Sequence, residues 1–256
     1  MKHPIHSSRY STMTLTTHRQ AYDDDGYVIL RGYCNKDHVE QMIERVEQYC
    51  RDTATGLAAG DVYYEVADTS KIKSLFHMHV HDAFFDRLAS DQRLIDTVGA
   101  MFPEGEPVVQ DVGFFAKCER YGSAAPVHQD NAYDFYEPPH ALKATIALDA
   151  STMENGVMYC QRGSHKLGLL PHHLSVVTSF SQTLADPVSA EDYPEVPMLL
   201  QPGDLLLHHT DTIHRSGPNM SPHPRRMLAM EWSSSHAVRN TEKREQYIAQ
   251  LRRLQG

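Results

Sequence analysis

From residue 108 onward the chain consists of short apolar runs separated by turn residues, and that rhythm restricts what it can fold into. The runs cover residues 108–118, 126–130, 142–149, 157–160, 198–201, 204–209, 213–217 and 227–234. Closely spaced strands of this kind predict a sandwich or jelly roll. No internal repeat or low-complexity linker interrupts them.

The first hundred residues read differently. Asp23-Asp24-Asp25-Gly26 is a turn signal, followed by a short strand, Tyr27-Val28-Ile29-Leu30. Asn35 is placed as an N-cap, and Val39, Met42, Ile43, Val46 and Tyr49 recur at helical spacing over residues 36–51. The composition of residues 62–66 predicts a strand. In Phe76-His77-Met78-His79-Val80-His81 the histidines alternate, so a strand with three histidines on one face is expected, either a half-buried strand leading into the next helix or a second metal site or substrate-facing row. Asp82 and Asp91 are placed as caps of helices reaching Ala89 and Met101. Residues 237–254 return to helical spacing. The expected fold class is mainly β with flanking helices: a double-stranded β-helix enclosing a cavity large enough for a metal and two small molecules. Residues 1–18 are expected to be a flexible start and 19–256 a single domain, with lid segments at 52–81 and 171–197.

Composition excludes some functions. The 33 acidic residues outnumber the 24 basic ones for a net charge of −9, which argues against a nucleic-acid partner and an anionic membrane. No run approaches the ~18–20 apolar residues of a membrane span, and residues 1–18 lack the apolar centre of a secretory signal. Cys34, Cys50, Cys118 and Cys160 show no CxxC spacing, so free thiols in a reducing, cytoplasmic setting are expected.

The chemistry concentrates in two places. His128-Gln129-Asp130 offers an imidazole and a carboxylate two residues apart, which on an extended strand share a face. His214 follows 84 residues after Asp130. Two histidines and one carboxylate make the facial triad that holds Fe(II) and leaves coordination positions open. With 17 histidines in the chain, a lone His carries little weight, and His208 and His209 read as strand residues after the Gly203-Asp204 turn.

These residues resemble the phytanoyl-CoA dioxygenase family of Fe(II)- and 2-oxoglutarate-dependent oxygenases. The matching landmarks are His128-Gln129-Asp130, Glu154-Asn155-Gly156, Gly163-Ser164-His165, Gly203-Asp204, His214-x-Ser216-Gly217-x-Asn219 and Arg225. The resemblance covers about residues 20–235. It implies a cupin-like core, with His128, Asp130 and His214 as catalytic iron ligands and 2-oxoglutarate and O2 as co-substrates. By the same resemblance Arg225 anchors the far carboxylate of 2-oxoglutarate with help from Ser216, as a planar, permanently charged donor suits. Lys117 either reaches the co-substrate or is an exposed strand-end lysine, and Thr145 stands equally open. Asp130 occupies the position that related halogenases leave to Gly or Ala, so the implied reaction is hydroxylation of a C–H bond with release of succinate and CO2. Arg162 departs from the family's usual proline before Gly163-Ser164-His165.

On the substrate side, Asn131 and Tyr133 are expected near the mouth, Gln110 facing the cavity, and Arg162 either meeting an anionic group or lying in a surface turn. The expected partner is a small polar or charged metabolite. An acyl-CoA, as for the family's namesake, or a non-catalytic cupin-like binding protein are the alternatives. Monomer and homodimer both remain open.

Overall fold

The structure is a computed structural model that describes residues 12–255. In chain order the elements are α1 (Thr12–Asp25), β1 (Tyr27–Leu30), α2 (Lys36–Asp52), β2 (Val62–Tyr64), β3 (Ile72–Leu75), α3 (Met78–His81), α4 (Ala83–Ala89), α5 (Gln92–Gly99), β4 (Pro107–Lys117) and β5 (Ala125–His128). Then follow α6 (Asn131–Asp134), β6 (Tyr136–Glu137), β7 (Ala141–Ala147), β8 (Met158–Gln161), β9 (His172–Val177), β10 (Phe180–Leu184), β11 (Glu195–Pro197), β12 (Leu205–His209), β13 (His214–Ser216), β14 (Arg225–Ser234), β15 (Val238–Arg239) and α7 (Thr241–Gln255).

Two antiparallel sheets form the body. The larger has seven strands in the order β1-β12-β7-β14-β4-β3-β2, and the smaller has four, β11-β8-β13-β5. Successive side chains of a strand point to opposite faces, and β14 uses both. Leu228, Met230 and Trp232 are buried against the helical layer with Val46 and Tyr49 of α2, Phe85 of α4 and Val98 of α5. Arg225, Met227 and Ala229 turn into the space between the sheets. A smaller apolar cluster of Tyr27, Leu206 and Met227 with Cys160, Met198 and Leu200 ties the two sheets together. The jelly-roll architecture expected from the strand rhythm is what the chain adopts.

The helices follow their local signals. Asn35 caps α2 by accepting the His38 N–H at 2.9 Å, and Asp82 and Asp91 cap α4 and α5 in the same way. Gly26 closes α1 with φ +82°, where a Cβ would lie 2.5 Å from His165 Nδ1.

Four expectations change. Residues 12–18 belong to α1, not to a flexible start, and residues 1–11 lie outside the described residues. The alternating histidines do not share a strand face: the strand is β3, and His77 (φ 56°) opens the single turn of α3. Residues 172–184, expected to be part of a lid loop, form the β9–β10 hairpin. The strand expected over 198–201 lies earlier, at β11.

Candidate active site

His128 ends β5 and His214 opens β13, and the two are direct antiparallel partners with ring centroids 4.2 Å apart. Asp130 is not on the strand. The chain turns after His128, and Asp130 has φ −61° and ψ −35° at the start of α6. Its carboxylate therefore reaches the imidazoles through a strand-to-helix turn, not through strand alternation. Asp130 Oδ1 lies 3.6 Å from His128 Nε2, and Oδ2 lies 3.8 Å from His214 Nε2. The three ligand atoms fall within 4.8 Å of one another, and all three residues are buried. His128 Nδ1 is 2.8 Å from the Pro126 carbonyl and His214 Nδ1 is 2.9 Å from the Thr212 carbonyl. A carbonyl only accepts, so each Nδ1 carries the hydrogen and each Nε2 presents a lone pair. This donor set fits a divalent first-row metal.

The surrounding charges keep the donors in their ligating forms. Burial pushes the Asp130 carboxyl up, but the Lys143 ammonium and the hydrogen bond from His208 outweigh it, so it lies well below the usual range. Burial and neighbouring His128 hold His214 well below its ordinary value, so it is neutral. Lys143 Nζ stands 3.3 Å from Asp130 Oδ1, and His208 Nε2 stands 3.0 Å from Oδ2.

A chamber extends from these residues along the inner face of the larger sheet to Arg225. Arg225 is 6% exposed, and its Nε has no hydrogen-bond partner among the described residues. Burial lowers the guanidinium to about 10, so it stays charged at neutral pH. A buried charge without a partner is costly, so this position could take an anionic group such as a carboxylate. Ser216 and Thr145 line the same chamber. Lys117 does too: it is buried, and its Nζ donates to the Ser123 carbonyl. Burial and then the neighbouring Arg225 hold the Lys117 ammonium well below its ordinary value. Gly156 (φ +80°) makes room for it, since a Cβ there would lie 2.6 Å from Lys117 Cδ. Arg226 turns to the other face, pairing with Asp149 at 2.8 Å and Glu47 at 3.1 Å.

The family model described as phytanoyl-CoA dioxygenase matches residues 22–227. The chain belongs to the phytanoyl-CoA dioxygenase family. Its members are iron- and 2-oxoglutarate-dependent oxygenases, and His128, Asp130 and His214 form a group that could hold a metal ion. Phytanoyl-CoA dioxygenase 1 of Oryza sativa subsp. japonica is 27% identical, over 84% of this chain and 90% of the rice protein. Methylphosphonate hydroxylase of Gimesia maris is also 27% identical, over 91% of this chain and 84% of its own length. The crystal structure of EctD from S. alaskensis with 2-oxoglutarate and 5-hydroxyectoine shares the fold, with TM-score 0.73 and 22% identity, over 91% of this chain and 81% of that one.

Beyond the triad the chamber opens into a wider cleft. Tyr133 and Gln110 line it, Gln110 Nε2 donating to Ser233 Oγ at 2.9 Å. Asn131 is turned to structural use: its amide donates to Asp211 at 2.9 Å and accepts the Tyr136 N–H at 2.7 Å. Arg162 is exposed at a turn and lines neither space. Sequence reasoning passed over Lys143 and His208, which face the site because they alternate with the core residues Leu142, Ala144 and Leu207. It also passed over Phe180, whose ring lies 5.4 Å from that of His128. The two segments expected to form a lid do meet at the site: Lys73 Nζ donates to the Thr178 carbonyl at 2.7 Å, and Ser179 Oγ to Ser74 Oγ at 2.9 Å.

Among the described residues no helix is long and apolar enough to cross a membrane.

Proposed function

We propose that the protein hydroxylates a C–H bond of a small polar or charged metabolite, using Fe(II) held by His128, Asp130 and His214. The observation that carries this reading is one chamber with a three-donor metal grip at one end and an unpaired buried arginine at the other. With iron, 2-oxoglutarate and O2 bound, the family's chemistry splits the co-substrate to succinate and CO2 and places one oxygen atom on the substrate.

The chain's own residues arrange this. Arg225, with Ser216 beside it, takes the far carboxylate of 2-oxoglutarate, and Lys117 and Thr145 flank it. Lys143 and His208 keep Asp130 ionised and oriented. Phe180 and Tyr133 pack edge-on against His128 at 5.4 and 6.0 Å and exclude water from that side. The β9–β10 hairpin and the β3 segment act as the lid. The charged residues of the cleft suit a small polar molecule better than a long acyl chain. All four cysteines are free thiols, which suits a reducing compartment such as the cytoplasm.

Adding Fe(II) and then 2-oxoglutarate without oxygen should give a visible metal-to-ligand charge-transfer band in the wild type and none in His214→Ala. Folded wild-type protein that retains no iron and shows no band would put the binding-protein reading in its place.

A further inference from the structure

The register of the larger sheet sets up a second row of chemistry beside the triad. Asp111 on β4 is the direct neighbour of Glu231 on β14, and Glu231 is the direct neighbour of Lys143 on β7. All three line the open cleft, on the face that carries Arg225 six residues earlier on β14, about 20 Å away along the strand.

Like charges directly opposite each other on adjacent strands repel, so the Asp111–Glu231 pair calls for a cation. Lys143 does not satisfy both. It is 3.3 Å from Asp130 and 3.9 Å from Glu231, dividing its charge between them. Arg239 is engaged by Asp134 at 2.9 Å and reaches only to 3.9 Å of Glu231. Asp111 accepts the backbone N–H of His77 at 2.7 Å, and no lysine or arginine comes within 4.0 Å of it among the described residues. Burial raises Asp111, and it raises Glu231 to about 8 with Asp134 adding to the effect, so at neutral pH Glu231 keeps its proton until a cation arrives to draw it off. Phe76, Phe115 and Phe180 wall the same space. Paired acids backed by aromatic rings are surroundings a positively charged nitrogen prefers, and two of these rings already carry one: Lys73 Nζ lies 5.3 Å from the Phe180 ring centroid and Lys143 Nζ 5.7 Å from that of Phe115.

We propose that the substrate carries a positively charged nitrogen that docks on Asp111 and Glu231 between the aromatic walls of the cleft. This rests on the cleft being the substrate cleft of the proposed hydroxylase. Arg244, which lines the cleft on α7 and has no ion pair among the described residues, gives a zwitterion's anionic end a place to go. A substrate that is an anion alone would face the two carboxylates.

The test compares probes of matched shape on the protein loaded with Fe(II) and 2-oxoglutarate without oxygen. Choline and ethanolamine supply the charged nitrogen, 3,3-dimethylbutan-1-ol is choline's neutral isostere, and methylphosphonate is the anion. Choline or ethanolamine should perturb the charge-transfer band, and choline should bind at least tenfold tighter than its isostere. Asp111→Asn should cut that preference to under threefold while leaving the band itself in place, and Glu231→Gln repeats the comparison should Asp111→Asn not fold. A wild type that binds choline no tighter than the isostere, or that responds to methylphosphonate and to neither amine, overturns the proposal. So does a folded Asp111→Asn that keeps the preference. Should no band form at all, the hydroxylase reading fails separately, and calorimetry of the four probes on metal-free protein still decides whether the cleft takes a charged nitrogen.

Discussion

Arg225 and His208 show how single side chains acquire roles from what is near them. Among the described residues Arg225 is buried opposite no carboxylate, and in the proposed function 2-oxoglutarate brings one. Replacing it with Gln should raise the 2-oxoglutarate concentration for half-maximal band formation about 30-fold or more, about 2 kcal/mol or more. Iron content, measured on the same sample, should not change. His208 donates to the carboxylate that grips the metal. His208→Phe keeps the bulk and removes the hydrogen bond. It should weaken Fe(II) about tenfold or more, read by competition with a chelating dye, with the circular dichroism spectrum unchanged. The triad and Arg225 stood out in the sequence because, with Ser216, Gly217 and Asn219, they resemble the landmarks of the phytanoyl-CoA dioxygenase family. His208 did not, because a histidine in a chain with 17 of them carries no signal until its neighbour across the fold is known.

At the scale of elements, the turn that carries Asp130 is held by the loop between β12 and β13. Gln129 Nε2 donates to the Asp211 carbonyl at 2.7 Å, and Asn131 Nδ2 donates to the Asp211 carboxyl at 2.9 Å. Burial raises Asp211 to about 6, with the Asn131 hydrogen bond opposing. A carboxyl whose folded value is raised stabilises the fold below its ordinary value, near 4, and that contribution is lost as pH rises through about 6. Asp211→Asn should therefore flatten the stability curve between about pH 4 and 6, by up to about 3 kcal/mol against wild type in urea unfolding. Elements with a strong local signal were legible. The caps Asn35, Asp82 and Asp91 and the apolar runs of β1, β4, β7, β12 and β14 lie where the sequence places them. The misreadings share a cause. Histidines at alternate positions imitate a strand over 76–81, whereas the backbone there is bent by the contact of His77 with Asp111. The β9–β10 hairpin mixes polar and apolar residues because it spans from the solvent to Phe180 over the site.

For the molecule as a whole, the site exists only when distant segments have come together. Lys73, Lys117, His128, Thr145, Phe180, His214 and Arg225 line one chamber. The unfolded chain therefore has no such site, and metal binding must favour the fold. Fe(II) at 100 times its dissociation constant should stabilise the native state by about 2.7 kcal/mol. In anaerobic calorimetry this should raise the melting temperature by about 5–10 °C, and His214→Ala should abolish the gain. On the other face of the larger sheet, Leu228→Ala should cost about 2–5 kcal/mol in urea unfolding, because Leu228 is fully buried among the helices. It should leave the 2-oxoglutarate requirement of the surviving folded protein unchanged.

That contrast between neighbours on β14 reaches beyond either substitution. Leu228, Met230 and Trp232 answer to whether the chain survives as a folded object, while Arg225, Met227, Ala229 and Glu231 face the cavities between the sheets. The two histories are interleaved residue by residue, yet they can be edited apart. Changes at Ala229 and Glu231 reach the cavity while leaving the helix-facing packing in place, and a scan of this strand should read as two alphabets printed on alternate letters.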